Sequence, residues 1–146
     1  VRVIALGVPR AESDAGLMRA RLHGVAIVPF ESAHADELRR SLGAPALVVD
    51  ALFGTGFDRP LEGDALAAVR WVNALGAPVL SIDIPSGLDC DRGVPMPECV
   101  RVTVTATMVA PKTGFAAARA WTGRVEVVPL GGPDPVDWLR TRGAGG

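Results

Sequence analysis

The sequence predicts an α/β protein built on a mostly parallel sheet. Three observations carry this. Short apolar runs alternate with segments of helical length, the pattern of successive βαβ units. Two of the runs, Val48-Val49-Asp50-Ala51-Leu52-Phe53-Gly54-Thr55-Gly56 and Ser81-Ile82-Asp83-Ile84-Pro85-Ser86-Gly87-Leu88-Asp89, end in an aspartate that opens at once into a loop. Parallel strands of an open sheet finish on one edge, and ligands bind beyond it. Finally, 146 residues at 49% hydrophobic content suit one domain with a real core.

The elements follow in order. Val1 to Leu6 is a strand, broken by Gly7-Val8-Pro9. Ala11 to Leu22 has a helical pattern, with Leu17, Met18, Ala20 and Leu22 between arginines. Val25 to Pro29 is the second strand. Ser32 can cap a helix running to Leu42, and Gly43 can end it. Ala46 to Asp50 is a continuous apolar run, as expected for a strand covered on both faces. Gly63 to Leu75 is a helix carrying Leu66, Val69, Val72 and Ala74, stopped by Gly76. Pro78 to Ile82, Arg101 to Thr107 and Gly123 to Val128 are the remaining strands. The segment from Gly87 to Pro97 is a long loop, a common place for function. Residues 1–133 are expected to form the domain, and 134–146, ending in a Gly-rich stretch, a tail or linker.

Composition narrows the function. A net charge of -1 argues against a nucleic-acid surface built on bulk charge. No apolar run reaches the ~20 residues that span a bilayer, so no membrane partner is expected. The start is too short for a signal-peptide core, and a cytoplasmic location is expected. Cys90 and Cys99 are expected to be reduced thiols, with a disulfide as the alternative.

Candidate chemistry lies at the strand ends. Asp50 and Asp83 can ligate a cation or exchange protons with a ligand; the plainer alternative is that they brace loops. Gly54-Thr55-Gly56 allows close backbone approach to a phosphate, but it is neither a Walker A loop nor a GxGxxG fingerprint. Arg59 beside it can pair with a phosphate or simply face solvent. Ser86 lacks the flanks of a nucleophile elbow, and His23 and His34 lie far from the strand ends, which argues against a Ser-His-Asp triad. Its oxygen suits a hard cation better. Lys112, directly after the fifth strand, lands on the same edge as Asp50 and Asp83. It is the only lysine, arginine filling the other fourteen basic positions. A retained lysine suits proton transfer, which guanidinium cannot perform.

With Asp50-Ala-Leu-Phe-Gly-Thr-Gly56, Asp83-Ile-Pro-Ser-Gly-Leu-Asp89 and Ala110-Pro-Lys112 on successive strand ends, the chain resembles the NAD(P)H-hydrate epimerase family, the YjeF N-terminal domain, from about Val1 to Pro133. The resemblance implies a Rossmann-like three-layer sandwich. It implies an isomerase that interconverts the R and S forms of hydrated NADH and NADPH, working beside an ADP- or ATP-dependent dehydratase, fused or separate. It implies K+ as cofactor, one per subunit, with Asp50 and Ser86 as ligands. Gly54, Thr55, Gly56, Phe57, Asp58, Arg59 and Pro60 would line the diphosphate side, Asp83 would bind substrate at the reacting ring, and Lys112 would stand near it. Asp83 and Lys112 are the expected catalytic pair. A homodimer is left open.

The chain departs from that family in one respect. It has no run like Gly-Asn-Asn-Gly-Gly-Asp-Gly and no strand before it. The fold is therefore expected to be N-terminally incomplete, with unpaired strand edges, exposed apolar surface and weak or no catalysis by the chain as it stands. The competing expectations are a non-catalytic nucleotide- or protein-binding scaffold, and a Rossmann-like nucleotide-binding domain of another reaction class.

Overall fold

A computed structural model describes residues 1–7 and 15–131. Six strands, β1 (Arg2–Leu6), β2 (Ala26–Phe30), β3 (Val48–Asp50), β4 (Val79–Ile82), β5 (Val104–Met108) and β6 (Arg124–Val128), are joined by helices α1 (Ala15–Leu22), α2 (Ala35–Leu42), α3 (Gly63–Ala74) and α4 (Arg119–Thr122), except that a long loop without a helix joins β4 to β5. Every strand pair is parallel. The predicted strands are all present, with ends shifted by at most three residues. The stretch of the first helix before Ala15, and the tail at 134–146, lie outside the described residues.

The described strands form two sheets, β1-β2 and β3-β4-β5-β6. A core cluster of Phe30, Leu38 and Ala68 joins them, with Ile4, Leu6 and Val28 from the small sheet and Leu52 and Trp71 from the larger sheet's side. Phe30 meets the Trp71 ring edge-on at 5.6 Å, and the indole N–H donates to the Ala35 carbonyl. Val49 of β3 and Leu47 just before it are each 54% exposed. Among the described residues that strand pairs on one side only. A parallel strand normally has both faces and both edges covered, so β3 departs from its type.

Helix α3 packs its buried face, Ala68, Val69 and Val72, towards the core. Its Val69 and Val72 pack with Leu61, Val79, Val100 and Val102 in one cluster. Ile84, Leu88, Cys99, Phe115 and Ala118 form a second cluster within the loops that follow the strand ends. Two local expectations are corrected. Ser32 does not cap a helix with its side chain; it opens a single 3-10 turn, Ser32–His34, and its backbone N–H donates to Asp64. The chain between β5 and β6, left without structure by the sequence, folds as a 3-10 turn, Thr113–Ala116, and the short α4. Neither has enough turns for a helical period to show in the sequence.

Candidate active site

The parallel register carries Asp50, Asp83 and Lys112 to one edge. Asp50 closes β3 opposite Ser81 of β4, and Asp83 follows Ile82, which pairs with Ala106 of β5. Lys112 follows β5 by four residues and folds back over its end. There its ammonium lies 2.6 Å from Asp83 Oδ1. The same Nζ donates to the Met108 carbonyl at 3.2 Å. Asp83 Oδ1 also accepts the Met108 amide at 3.0 Å and the Thr107 hydroxyl at 3.3 Å. Burial penalises the Asp83 charge, but the Lys112 hydrogen bond, the Met108 amide and the Lys112 charge outweigh it, so the carboxyl sits below its ordinary value. About a fifth of each side chain remains exposed to solvent.

Backbone strain surrounds this pair. Asp83 has φ 69° and Val109 has φ 68°. A left-handed conformation is uncommon for aspartate and an outlier for a β-branched valine. Such strain persists only where surrounding contacts over-determine it, and it gathers at functional sites. Here the Asp83 amide donates to Ala106 and the Ala110 amide to Met108, which locks both turns.

A second pair lies three residues along the same loop. Asp50 is buried, 2% exposed. Its Oδ1 accepts the Ser86 hydroxyl at 2.6 Å, and its Oδ2 accepts the Ser86 amide at 2.8 Å. The Ser86 oxygen in turn accepts the Phe53 amide at 3.0 Å, and the Phe53 carbonyl lies 3.5 Å away. Burial raises the Asp50 pKa, and the Ser86 and Leu52 hydrogen bonds only partly offset it. Ser81 is fully buried, and its hydroxyl has no partner of good geometry among the described residues.

The glycine segment lies beyond Asp50 at the surface. Gly54, Thr55, Gly56, Asp58, Arg59 and Pro60 are exposed. Phe57 is half-buried against Phe53, ring centroids 4.5 Å apart, which anchors the turn. The long loop proves well braced: Asp89 Oδ1 accepts the Asp91 and Arg92 amides, and its Oδ2 pairs with Arg92 at 2.6 Å. Asp89 thus holds a turn. His34 is exposed and pairs with Glu31, apart from these groups. Thr107, the Met108 amide, the Phe53 backbone and Ser81 were not among the sequence candidates. The one sequence signal for Thr107 is its phase with Thr105 on β5, which puts both hydroxyls on a fully buried face.

Fold and site define an α/β domain that presents an acid–lysine pair and a buried acid–serine pair at the carboxyl edge of a parallel sheet. The chain belongs to the family described as YjeF-related protein N-terminus, whose model matches residues 1–114. It is 42% identical over 83 residues to the NAD(P)H-hydrate epimerase of Limosilactobacillus fermentum, covering 56% of this chain and 40% of that one. It is 43% identical over 91 residues to the Bifunctional NAD(P)H-hydrate repair enzyme Nnr of Salinibacter ruber, covering 61% of this chain and 17% of the relative. To the NAD(P)H-hydrate epimerase of Lentilactobacillus buchneri it is 32% identical over 133 residues, covering 90% of this chain and 60% of that one. The chain therefore spans between 17% and 60% of these relatives' lengths. The crystal structure of yeast ynu0 superposes with a TM-score of 0.73 at 20% identity, covering 97% of this chain and 59% of that one. That likeness supports the fold. No described helix is long and apolar enough to cross a membrane.

Proposed function

We propose that this chain carries the site of an NAD(P)H-hydrate epimerase, acting on hydrated NADH and NADPH, in the cytoplasm. The observation that carries the reading is the Lys112–Asp83 ion pair at 2.6 Å on the sheet's ligand-binding edge. Family membership and the names of the relatives support the substrate. Their bifunctional members support a dehydratase partner, fused or separate.

Epimerisation needs the C–O bond at the hydrated carbon to break and re-form on the other face. Lys112 is the acid and Asp83 the base. The bond breaks with its electron pair on oxygen, and the departing hydroxyl takes a proton from the Lys112 ammonium and leaves as water. Water then adds to the opposite face of the ring cation and gives its extra proton to the Asp83 carboxylate. Return of a proton from Asp83 to Lys112, through solvent at the open side of the site, restores the pair. Each role matches the charge state of the ion pair, and such transfers contribute roughly 10²- to 10⁴-fold.

The diphosphate would meet the exposed Gly54–Pro60 turn, whose glycines leave its backbone open. Potassium is the proposed cofactor. No group of three or more His, Cys, Asp and Glu residues suited to a metal is present among the described residues. A hard monovalent cation needs only oxygens, however, and the Asp50 carboxylate, the Ser86 hydroxyl and the Phe53 carbonyl converge. These donors fit it. Asp50 and Ser86 would hold the ion, which would supply positive charge near the substrate's phosphates.

The test is exchange between R and S hydrated NADH. Asp83→Asn and Lys112→Ala should each slow it about 10²-fold or more. A scaffold would show no exchange above the uncatalysed rate in the parent chain either.

A further inference from the structure

All three hydrogen-bonding contacts to Asp83 fall on one oxygen. Lys112 Nζ, the Met108 amide and the Thr107 hydroxyl converge on Oδ1, and Oδ2 accepts no hydrogen bond from the described residues. Thr107 is fully buried, and its hydroxyl also lies 3.3 Å from the Ala110 carbonyl. A hydroxyl has one proton to give. It can donate to Asp83 or to Ala110, and an ionised carboxylate is the stronger acceptor.

We propose that Thr107 is a positioning residue for the proton transfer: its buried hydroxyl holds Oδ1 of Asp83 in place, so that Oδ2 is the oxygen that faces the ligand and carries the proton. When Oδ2 takes a proton, Asp83 becomes a weaker acceptor and the Thr107 proton turns to Ala110. That carbonyl belongs to the strained turn leading to Lys112. One hydroxyl thus ties the protonation of the acid to the turn that carries the amine. The role in catalysis rests on the epimerase reading; the hold on Asp83 does not.

Lys112 is the charged group facing Asp83 among the described residues; β5 contributes the neutral Thr107 hydroxyl and Met108 amide, and the loop after Asp83 runs through buried, uncharged Ile84, Pro85 and Ser86. Removing the hydroxyl withdraws a donor from the ionised form and leaves the cation in place. The carboxyl should then titrate higher.

Two variants of the full chain test this, Thr107→Val, which keeps the shape, and Thr107→Ser, which keeps the hydroxyl. Carboxyl-carbon NMR should show the Asp83 midpoint about half a pH unit or more higher in Thr107→Val, and returned towards the parent in Thr107→Ser. The acid limb of the exchange-rate profile should move by the same amount, with kcat down about tenfold and KM little changed. An unmoved Asp83 midpoint in Thr107→Val, or a Thr107→Ser midpoint matching that of valine, overturns the proposal. Parent chain without exchange overturns the epimerase reading alone, and the NMR titration still decides whether Thr107 holds Asp83.

Discussion

Asp50 and Asp83 end neighbouring strands, yet their surroundings drive their titrations in opposite directions. Burial raises Asp50, whereas the Lys112 pair lowers Asp83. The consequences for stability have opposite sign. Asp83 contributes stability above its ordinary pKa, lost as pH falls through its lower folded value. For Asp50 the folded state holds its proton more tightly, so its contribution declines as pH rises from the ordinary value through the raised one. Asp50→Asn removes that decline, but it must turn an NH2 towards a pocket of donors from Ser86 and Leu52. A cost of about 1–3 kcal/mol is expected. Urea melts should show the parent's advantage larger at acid pH than at neutral pH. An equal advantage at both would mean that Asp50 is not buried as described.

At the scale of elements, the acid–lysine pair depends on how the braced loop meets the turn after Lys112. Gly93 and Gly114 touch backbone to backbone: a Cβ on Gly93 would lie 2.1 Å from the Gly114 carbonyl oxygen. Gly93 also has φ 69°, so alanine there is strained as well as obstructed. Gly93→Ala should destabilise the fold by roughly 1–3 kcal/mol and displace the Thr113–Ala116 turn that follows Lys112. Thermal melting with amide exchange across residues 110–118 would check this; protection unchanged there would contradict it. Much of this level was legible. The apolar runs ending in Asp50 and Ile82-Asp83, and the position of Lys112 after a valine–threonine strand, place three site residues without coordinates. The pairings were not legible. Sequence gives an edge, but which side chain folds back onto which depends on left-handed turns at Asp83 and Val109, residue types that do not announce that conformation. Ser86 shows the same limit. Its tie to Asp50 spans 36 residues and comes from sheet register.

For the whole molecule, the notable feature is a parallel fold described as two sheets sharing one core. Val49 of β3 and Leu47 just before it sit exposed, beside an edge that no described strand pairs with. An apolar strand edge of this kind is a template for pairing with another chain. Val49→Lys should lower self-association at micromolar concentration with little change in thermal midpoint, read by light scattering and ultracentrifugation. Unchanged association would mean that the edge is not available in solution. The two pairs nonetheless lie on the larger sheet's side, within strands and loops that its own clusters support. Site geometry therefore follows from β3 to β5 and the loops between them, which is why the strand-end motifs alone pointed to it.

The most direct test of the central claim is the rate of R/S exchange on hydrated NADH for the parent chain beside Asp83→Asn and Lys112→Ala, with folding of each confirmed by its melt. The account predicts exchange above the uncatalysed rate in the parent and a loss of about 10²-fold or more in each folded variant. Exchange at the parent's rate in either variant would contradict it.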